Sequence, residues 1–495
     1  MRNYAGILVI TACALCWVPD TSPAAEEASK SKALPPIPLS LNEVHAWIDR
    51  SHPLLKGAGT EKTSARGKML KALGAFEPVL VNDTEIERFI DKGTTKTQSV
   101  GFNDTLVEAR TPWGFRGSAG IRQSIGDAKI PDLAFGNGQQ VILGGFLPLL
   151  KGLMINPEHA ELQRSELADP RAEVKISQTR QDLFLAAATQ FWDWVSAAKF
   201  VDVQRRALGI AEERLRQVEG RAKAGAVAPL DVVEAGQEVQ RRREVSIAAQ
   251  RAVEQEQYKM SMFLWENQTP TTPQLERVPD FPPPAAPPTS ETVKADKLQA
   301  KTDRPEIREV DIEAKVNNID LELAKNNLLP SLDLEAAPAR APEKFVLGLG
   351  YRFGAELRIP ILQRRSRGEV MEAQAQADRL VLVQKYREQQ VVVDVDNALS
   401  AIERAKERVA AAAESLRMAR TLEEGERFRF SLGATSVLFV NLRERNSVDS
   451  EMQLVRAKAD YQKALALYQW ATGSWARSQP SAVPVNYRVG ASFSR

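Results

Sequence analysis

Apolar residues recur every seven positions over two long stretches of the chain. They fall at Val201, Leu208 and Leu215 in the first and at Val395, Ile402, Val409 and Leu416 in the second. After Pro170, no proline interrupts either stretch. A heptad sustained this far predicts long helices packed side by side, over about 157–222 and 366–430. Return helices over about 229–265 and 436–472 carry the same period, in Val232, Val239 and Val253 and in Val440, Leu454, Tyr461 and Tyr468. At about 1.5 Å rise per residue, roughly 65 residues make a rod of roughly 100 Å, longer than any compact core.

A second pattern has period two. From Phe345 to Ile361 the odd positions are apolar or aromatic, while the even ones include Gly348, Arg352, Glu356 and Arg358. This predicts a strand with one greasy and one wet face. Weaker versions run through Phe115, Ala119, Ile121 and Ile125, and through Val141, Leu143, Leu147 and Leu149. Strands are therefore expected within about 76–150 and 331–361. A further hairpin around Pro112-Trp113-Gly114 would raise the first set from two strands to four.

The same plan occurs twice. Pro53 and Pro305, like Pro78 and Pro330, stand 252 positions apart, and Gly225 and Gly433 stand 208 apart. Each copy reads as short helix, strands, very long helix, tight turn and return helix, over 39–265 and 304–473. Between them, 266–303 holds eight prolines from Pro270 to Pro288. It reads as an extended connector without helix or central strand. A tail, 474–495, follows.

Composition adds limits. The 495 residues are 43% hydrophobic and 26% charged, with 66 Lys and Arg against 64 Asp and Glu. A net charge of +2 without a segregated basic tract gives nucleic-acid binding no support. The N-terminus, Arg2 followed by apolar residues to Val18 and then small residues and prolines, has the layout of a secretory signal over 1–24. Cleavage after Ala24 removes both cysteines. The alternative is a lipoprotein box, Ile10-Thr11-Ala12-Cys13, leaving Cys13 lipidated. Beyond the signal, no stretch reaches the ~20 apolar residues a spanning helix needs, so entry into a membrane would require a closed β-barrel. Such barrels need about eight strands or more. One chain supplies too few, and closure then calls for several copies.

At this point the residues resemble the TolC family of outer-membrane efflux proteins. The likeness runs from Leu39-Ser40-Leu41-Asn42-Glu43-Val44 to Leu467-Tyr468-Gln469-Trp470-Ala471-Thr472-Gly473. Its most specific pieces are the turns Arg221-Ala222-Lys223-Ala224-Gly225-Ala226-Val227-Ala228-Pro229-Leu230-Asp231-Val232 and Arg429-Phe430-Ser431-Leu432-Gly433-Ala434-Thr435-Ser436-Val437-Leu438-Phe439-Val440. Arg304-Pro305-Glu306-Ile307 and Leu329-Pro330-Ser331-Leu332 add to it. The resemblance implies an α+β membrane protein: a homotrimer with a twelve-stranded transmembrane barrel in outer-membrane lipid, continued by a coiled-coil helical tube into the periplasm. It also implies partners, a periplasmic adaptor and an inner-membrane efflux pump or ABC transporter, met by the helix-hairpin tips.

The implied docking residues are Ala224, Gly225, Ala226 and Val227, and Leu432, Gly433, Ala434 and Thr435. The plainer reading makes both glycines ordinary helix C-caps. In TolC-like members, acidic residues six and nine positions after the second tip glycine narrow the tube; here these positions are Phe439 and Leu442. A hydrophobic collar replaces the anionic ring in that reading, against simple packing between helices. Asp231 either caps its helix or forms a salt bridge at the tip.

No catalytic constellation, cofactor site or metal site stands out. His45, His52 and His159 lack a second His or Cys at ligand spacing and read as surface or interface residues. Acidic residues on the heptad helices read as solvated or paired at helical spacing, as around Glu403, Lys406 and Glu407. The chain is therefore read as a non-enzyme and a passive exit duct for efflux or type I secretion. A periplasmic coiled-coil adaptor or structural protein of an export complex is the rival, and an enzyme on a coiled-coil stalk a weaker one.

Overall fold

The computed structural model describes residues 37–90, 97–125, 129–130, 133–134, 138–285, 287–338 and 351–477. The signal region with Cys13 and Cys16, residues 345–350 of the alternating stretch, and 478–495 lie outside the described residues.

Two short helices open the described chain, α1 (Leu41–Ser51) and α2 (Pro53–Leu73). The strands β1 (Val79–Ile90), β2 (Thr97–Arg110), β3 (Arg116–Ile125) and β4 (Gly138–Pro148) follow. Next come α3 (Pro157–Glu166), α4 (Ala168–Lys223) and α5 (Pro229–Ser261). The second half has α6 (Ser290–Asp303), α7 (Pro305–Asn326), β5 (Ser331–Pro338), β6 (Tyr351–Arg358), α8 (Arg364–Ser431), α9 (Val437–Ala471) and α10 (Ser474–Arg477).

The heptad positions explain the helical part. Val395, Ile402, Val409 and Leu416 of α8 are buried, and Ile402 and Val409 pack with Ala457, Tyr461 and Ala464 of α9. With 56 and 68 residues, α4 and α8 measure roughly 84 and 102 Å at ~1.5 Å per residue. The α5 and α9 helices return along them, and α4 also packs on α9.

Two expectations need correction. The helix expected to run unbroken from 157 breaks at Leu167, because Pro170 has no N–H to donate and its ring crowds the carbonyl of Glu166. The connector is not extended throughout: its last residues form α6. The final proline of the run is Pro288, and Thr289 then caps the new helix through the Thr292 N–H (3.3 Å).

Among the described residues these six strands form one antiparallel sheet in the order β1-β2-β3-β4-β5-β6, and two small two-stranded ladders, Lys129–Ile130 with Leu133–Ala134 and Trp265–Glu266 with Thr269–Pro270, stand apart from it. The hairpin expected around Trp113 is present, so the first half contributes four strands and the second two.

The densest core lies midway along α4, where Phe184, Phe191, Trp192 and Trp194 pack with Val44 and Ile48 of α1 and with Trp475. Arg180 ties it together. It donates to both oxygens of Asp49 (2.7 Å each) and to the Trp475 carbonyl (2.6 Å). Trp475 thus makes the start of the expected tail part of the core. Two histidines depart from the surface reading. His45 is buried, stacked on Phe184 with ring centres 4.1 Å apart, and burial holds its pKa down to about 4. His52 is buried against the Met262 carbonyl (3.1 Å), and burial lowers its pKa too. The His52 ring has a partner at each nitrogen, while His45 relies on ring stacking and leaves its Nε2 without one.

Candidate functional site

Two regions of the surface are unusual, one at each end of the rods. The first is a face of the sheet. Leu80 of β1, Val107 of β2, Ala119 of β3 and Leu143 of β4 are register partners on one side. Ala336 of β5 and Phe353 of β6 continue that side. Leu80 is 70% exposed, Phe353 81% and Leu357 59%. Water does not tolerate a continuous apolar face of this size without a covering partner. The opposite face is wet. There Asp104 and Arg122 form a two-point ion pair (2.7 and 2.6 Å) between β2 and β3.

The second region is the pair of hairpin tips, and there the two halves use one backbone solution. At the end of α4, Gly225 has φ +71°; its N–H donates to the Ala222 carbonyl (3.0 Å), and the Ala226 N–H to that of Arg221 (2.9 Å). At the end of α8, Gly433 has φ +72°, with the matching bonds from Gly433 to Phe430 (3.0 Å) and from Ala434 to Arg429 (2.9 Å). This is the Schellman closure, in which a left-handed residue lets two helix-end carbonyls be satisfied. Both glycines face open space. Ala224, Gly225 and Ala226 are exposed with Val227 half-buried, and Leu432, Gly433 and Ala434 are exposed with Thr435 half-buried.

The return helices start differently. Pro229 occupies the first position of α5, and the Asp231 carboxylate accepts the Ala228 N–H (3.2 Å), so Asp231 acts as a cap. Ser436 precedes α9 without a side-chain capping bond. Phe439 and Leu442 sit one turn in, both exposed, next to exposed Leu438.

Arg221, which opens the first turn motif but has no assigned role there, ties the tips together. It leaves α4 and donates to the Phe430 and Ser431 carbonyls of α8 (3.2 and 3.0 Å), with its guanidinium 5.0 Å from the centre of the Phe430 ring. A cation at a helix C-terminus is favourable. Val218, Ala235 and Val437 form a small core beneath.

Behind the tips lie two buried carboxylates. Glu444 of α9 accepts from Arg214 of α4 and from Arg427 of α8 (3.0 Å). Glu238 of α5 accepts from Arg241 and Arg242 (2.7 Å each) and from Arg445 of α9. Burial pushes the Glu238 carboxyl up, but the three guanidinium groups outweigh it and hold the pKa down to about 2. For Arg214, burial dominates and lowers its pKa despite Glu444. Pairing at helical spacing, the expected alternative to solvation, is seen for Glu238 with Arg241 and Arg242 and for the exposed Arg404–Glu407 pair (2.8 Å), whereas Arg445 and Arg214 reach their carboxylates from other helices. Spacing along one helix does not show that Glu444 joins three helices or that Glu238 joins two.

Among the described residues, no helix is long and apolar enough to cross a membrane, and no group of three or more His, Cys, Asp or Glu could hold a metal ion.

Residues 298–473 match the sequence model of the outer membrane efflux protein family. That stretch, in the second half of the chain, is what the chain shares with the family in sequence. Solved structures agree on the fold. The Campylobacter jejuni CmeC outer membrane channel, 13% identical, superposes with a TM-score of 0.64 over 89% of this chain and 87% of its own. VceC from Vibrio cholerae, 13% identical, gives 0.62 over 88% and 96%. The open state of the Neisseria gonorrhoeae MtrE outer membrane channel, 16% identical, gives 0.62 over 88% of each. No curated protein matches the chain. The chain is thus similar in sequence over 298–473 to outer membrane efflux proteins, and in fold over most of its length to solved outer membrane channels.

Proposed function

We propose that this chain is an outer membrane efflux protein and that three copies assemble into the exit duct of a tripartite export or type I secretion system. The sheets close a barrel in outer-membrane lipid, and the helices, two tandem copies per chain, line a periplasmic tube. The observation that carries this reading is the open apolar face of the sheet, which supplies the hydrocarbon contact that no helix does. The tips, about 100 Å away at ~1.5 Å per helical residue, dock a periplasmic adaptor that joins an inner-membrane pump or ABC transporter. Two exposed tips of identical backbone geometry support that role. Cargo moves passively, and the partner supplies the energy.

Gly225→Trp and Gly433→Trp test the docking. Export is expected to fall at least tenfold while the assembled oligomer, read by heat-sensitive gel migration, persists. Normal export in both variants removes the docking role. Phe439 and Leu442 form the hydrophobic collar in this reading, supported by their exposure one turn above the second tip. Single-channel conductance should rise in Phe439→Ala and Leu442→Ala, and unchanged values assign both residues to packing.

A further inference from the structure

The family likeness implies four barrel strands per copy, yet this chain places six in one sheet. We infer that its barrel closes with eighteen strands, because the β1–β2 hairpin is part of the wall and β1 of one copy pairs with β6 of the next. The inference rests on the proposed trimeric channel and adds the identity of the contact between its subunits.

The alternative is a ring of twelve strands, β3 to β6 from each copy, with β1–β2 folded away. It requires the neighbour's β6 to take the edge of β3 that β2 now occupies. Three features oppose that exchange. The β2–β3 ladder is ten residues long, from Gly101 opposite Ile125 to Arg110 opposite Arg116. Within it, Asp104 is buried against Arg122, so separating the strands exposes a paired charge on each side. Finally, Gly120 lets β3 approach β2 so closely that a methyl group there would lie 2.0 Å from the Thr105 carbonyl oxygen. This close approach fits β2 as neighbour.

The hairpin is also equipped for lipid. Its outward side carries the polar residues Asn82, Thr84, Asn103 and Thr105. They bond one another: Asn82 to Asn103 (3.0 Å) and to Thr105 (2.8 Å), and Asn103 to Thr84 (2.6 Å). Polar groups satisfied within the wall cost far less in hydrocarbon than unsatisfied ones.

Strand direction permits closure. The six strands alternate, so the outer edges of β1 and β6 run antiparallel when copies are placed side by side. Six strands are below the roughly eight a barrel needs, so neither edge finds a partner within one copy. Barrel diameter grows about linearly with strand number, and eighteen strands at equal tilt give a bore about 1.5 times that of twelve.

Electron cryo-microscopy of the full-length protein in lipid nanodiscs tests this directly. Eighteen strands around the pore are expected; twelve, with 79–110 outside the wall, overturn the inference and leave the channel reading intact. Particles without a closed ring overturn that reading instead. A chemical check pairs Leu80→Cys on β1 with Phe353→Cys, Ala355→Cys or Leu357→Cys on β6. At least one combination should give oxidant-dependent dimers and trimers on denaturing gels. Cross-links of Ala119→Cys on β3 to the same β6 positions, with none from Leu80→Cys, overturn the inference.

Discussion

The two hairpins end in the same turn and begin their return helices differently. Gly225 and Gly433 share φ to within a degree and share their hydrogen bonds. Past the turn, the first hairpin has Pro229 and the capping Asp231, while the second has an unbonded Ser436 followed by exposed Leu438, Phe439 and Leu442. The turn is thus the common part, and the return helix carries the specialisation. Both starts expose apolar side chains, Leu230 and Val233 on α5 as well as Leu438 and Phe439 on α9, but only the first is pinned by an acidic cap.

The comparison breaks most severely at the buried carboxylates that cross-tie the hairpins. Removing one leaves arginines without their counter-charge, and a loss of about 3–5 kcal/mol is expected for Glu238→Ala or Glu444→Ala. Hydrogen exchange should then speed up over the lower thirds of α4, α5, α8 and α9 together; acceleration in one hairpin alone makes the tie local. Glu238 adds a pH dependence. Its folded pKa lies below its unfolded value, so its contribution is present above about 4.5 and is lost as pH falls toward about 2. In Glu238→Gln, exchange near the tips should lose that pH step.

Next in size is the turn itself. Gly225→Ala and Gly433→Ala place a side chain in the left-handed region at about 1–2 kcal/mol each. Equal acceleration of exchange at the two tips is expected, and a clear inequality would end the claim that the turns are equivalent. The smallest effect separates the caps. Asp231→Ala should cost about 1 kcal/mol at the start of α5, whereas Ser436→Ala, which breaks no side-chain bond, should leave α9 nearly unchanged. A matching loss at Ser436 would show that both return helices are capped in solution.

Much of the fold was legible in the sequence because its signals are local and periodic. Val395, Ile402 and Val409 marked the buried seam of α8, and the two tip glycines marked the reversals. Pro170 was visible, but its power to break a helix depended on its place near the start. The α6 helix was hidden by the prolines before it. The site was legible only in outline. Gly225, Gly433 and Asp231 announced themselves by motif. The roles of Arg221, Glu238 and Glu444 did not, because each has a decisive partner on another helix, up to 230 positions away in the chain. Nothing in a helical repeat separates a charge facing water from one facing three guanidinium groups. The burial of His45 was equally silent, since it depends on Phe184 arriving from another helix.

The reach of Arg221 across to α8 has a mechanical corollary. One side chain rooted in the first hairpin closes the end of the second, so a pull on Phe430 or Ser431 is transmitted to α4 without passing through the membrane end of the molecule. Whatever grips either tip therefore moves a yoked pair and meets the stiffness of both.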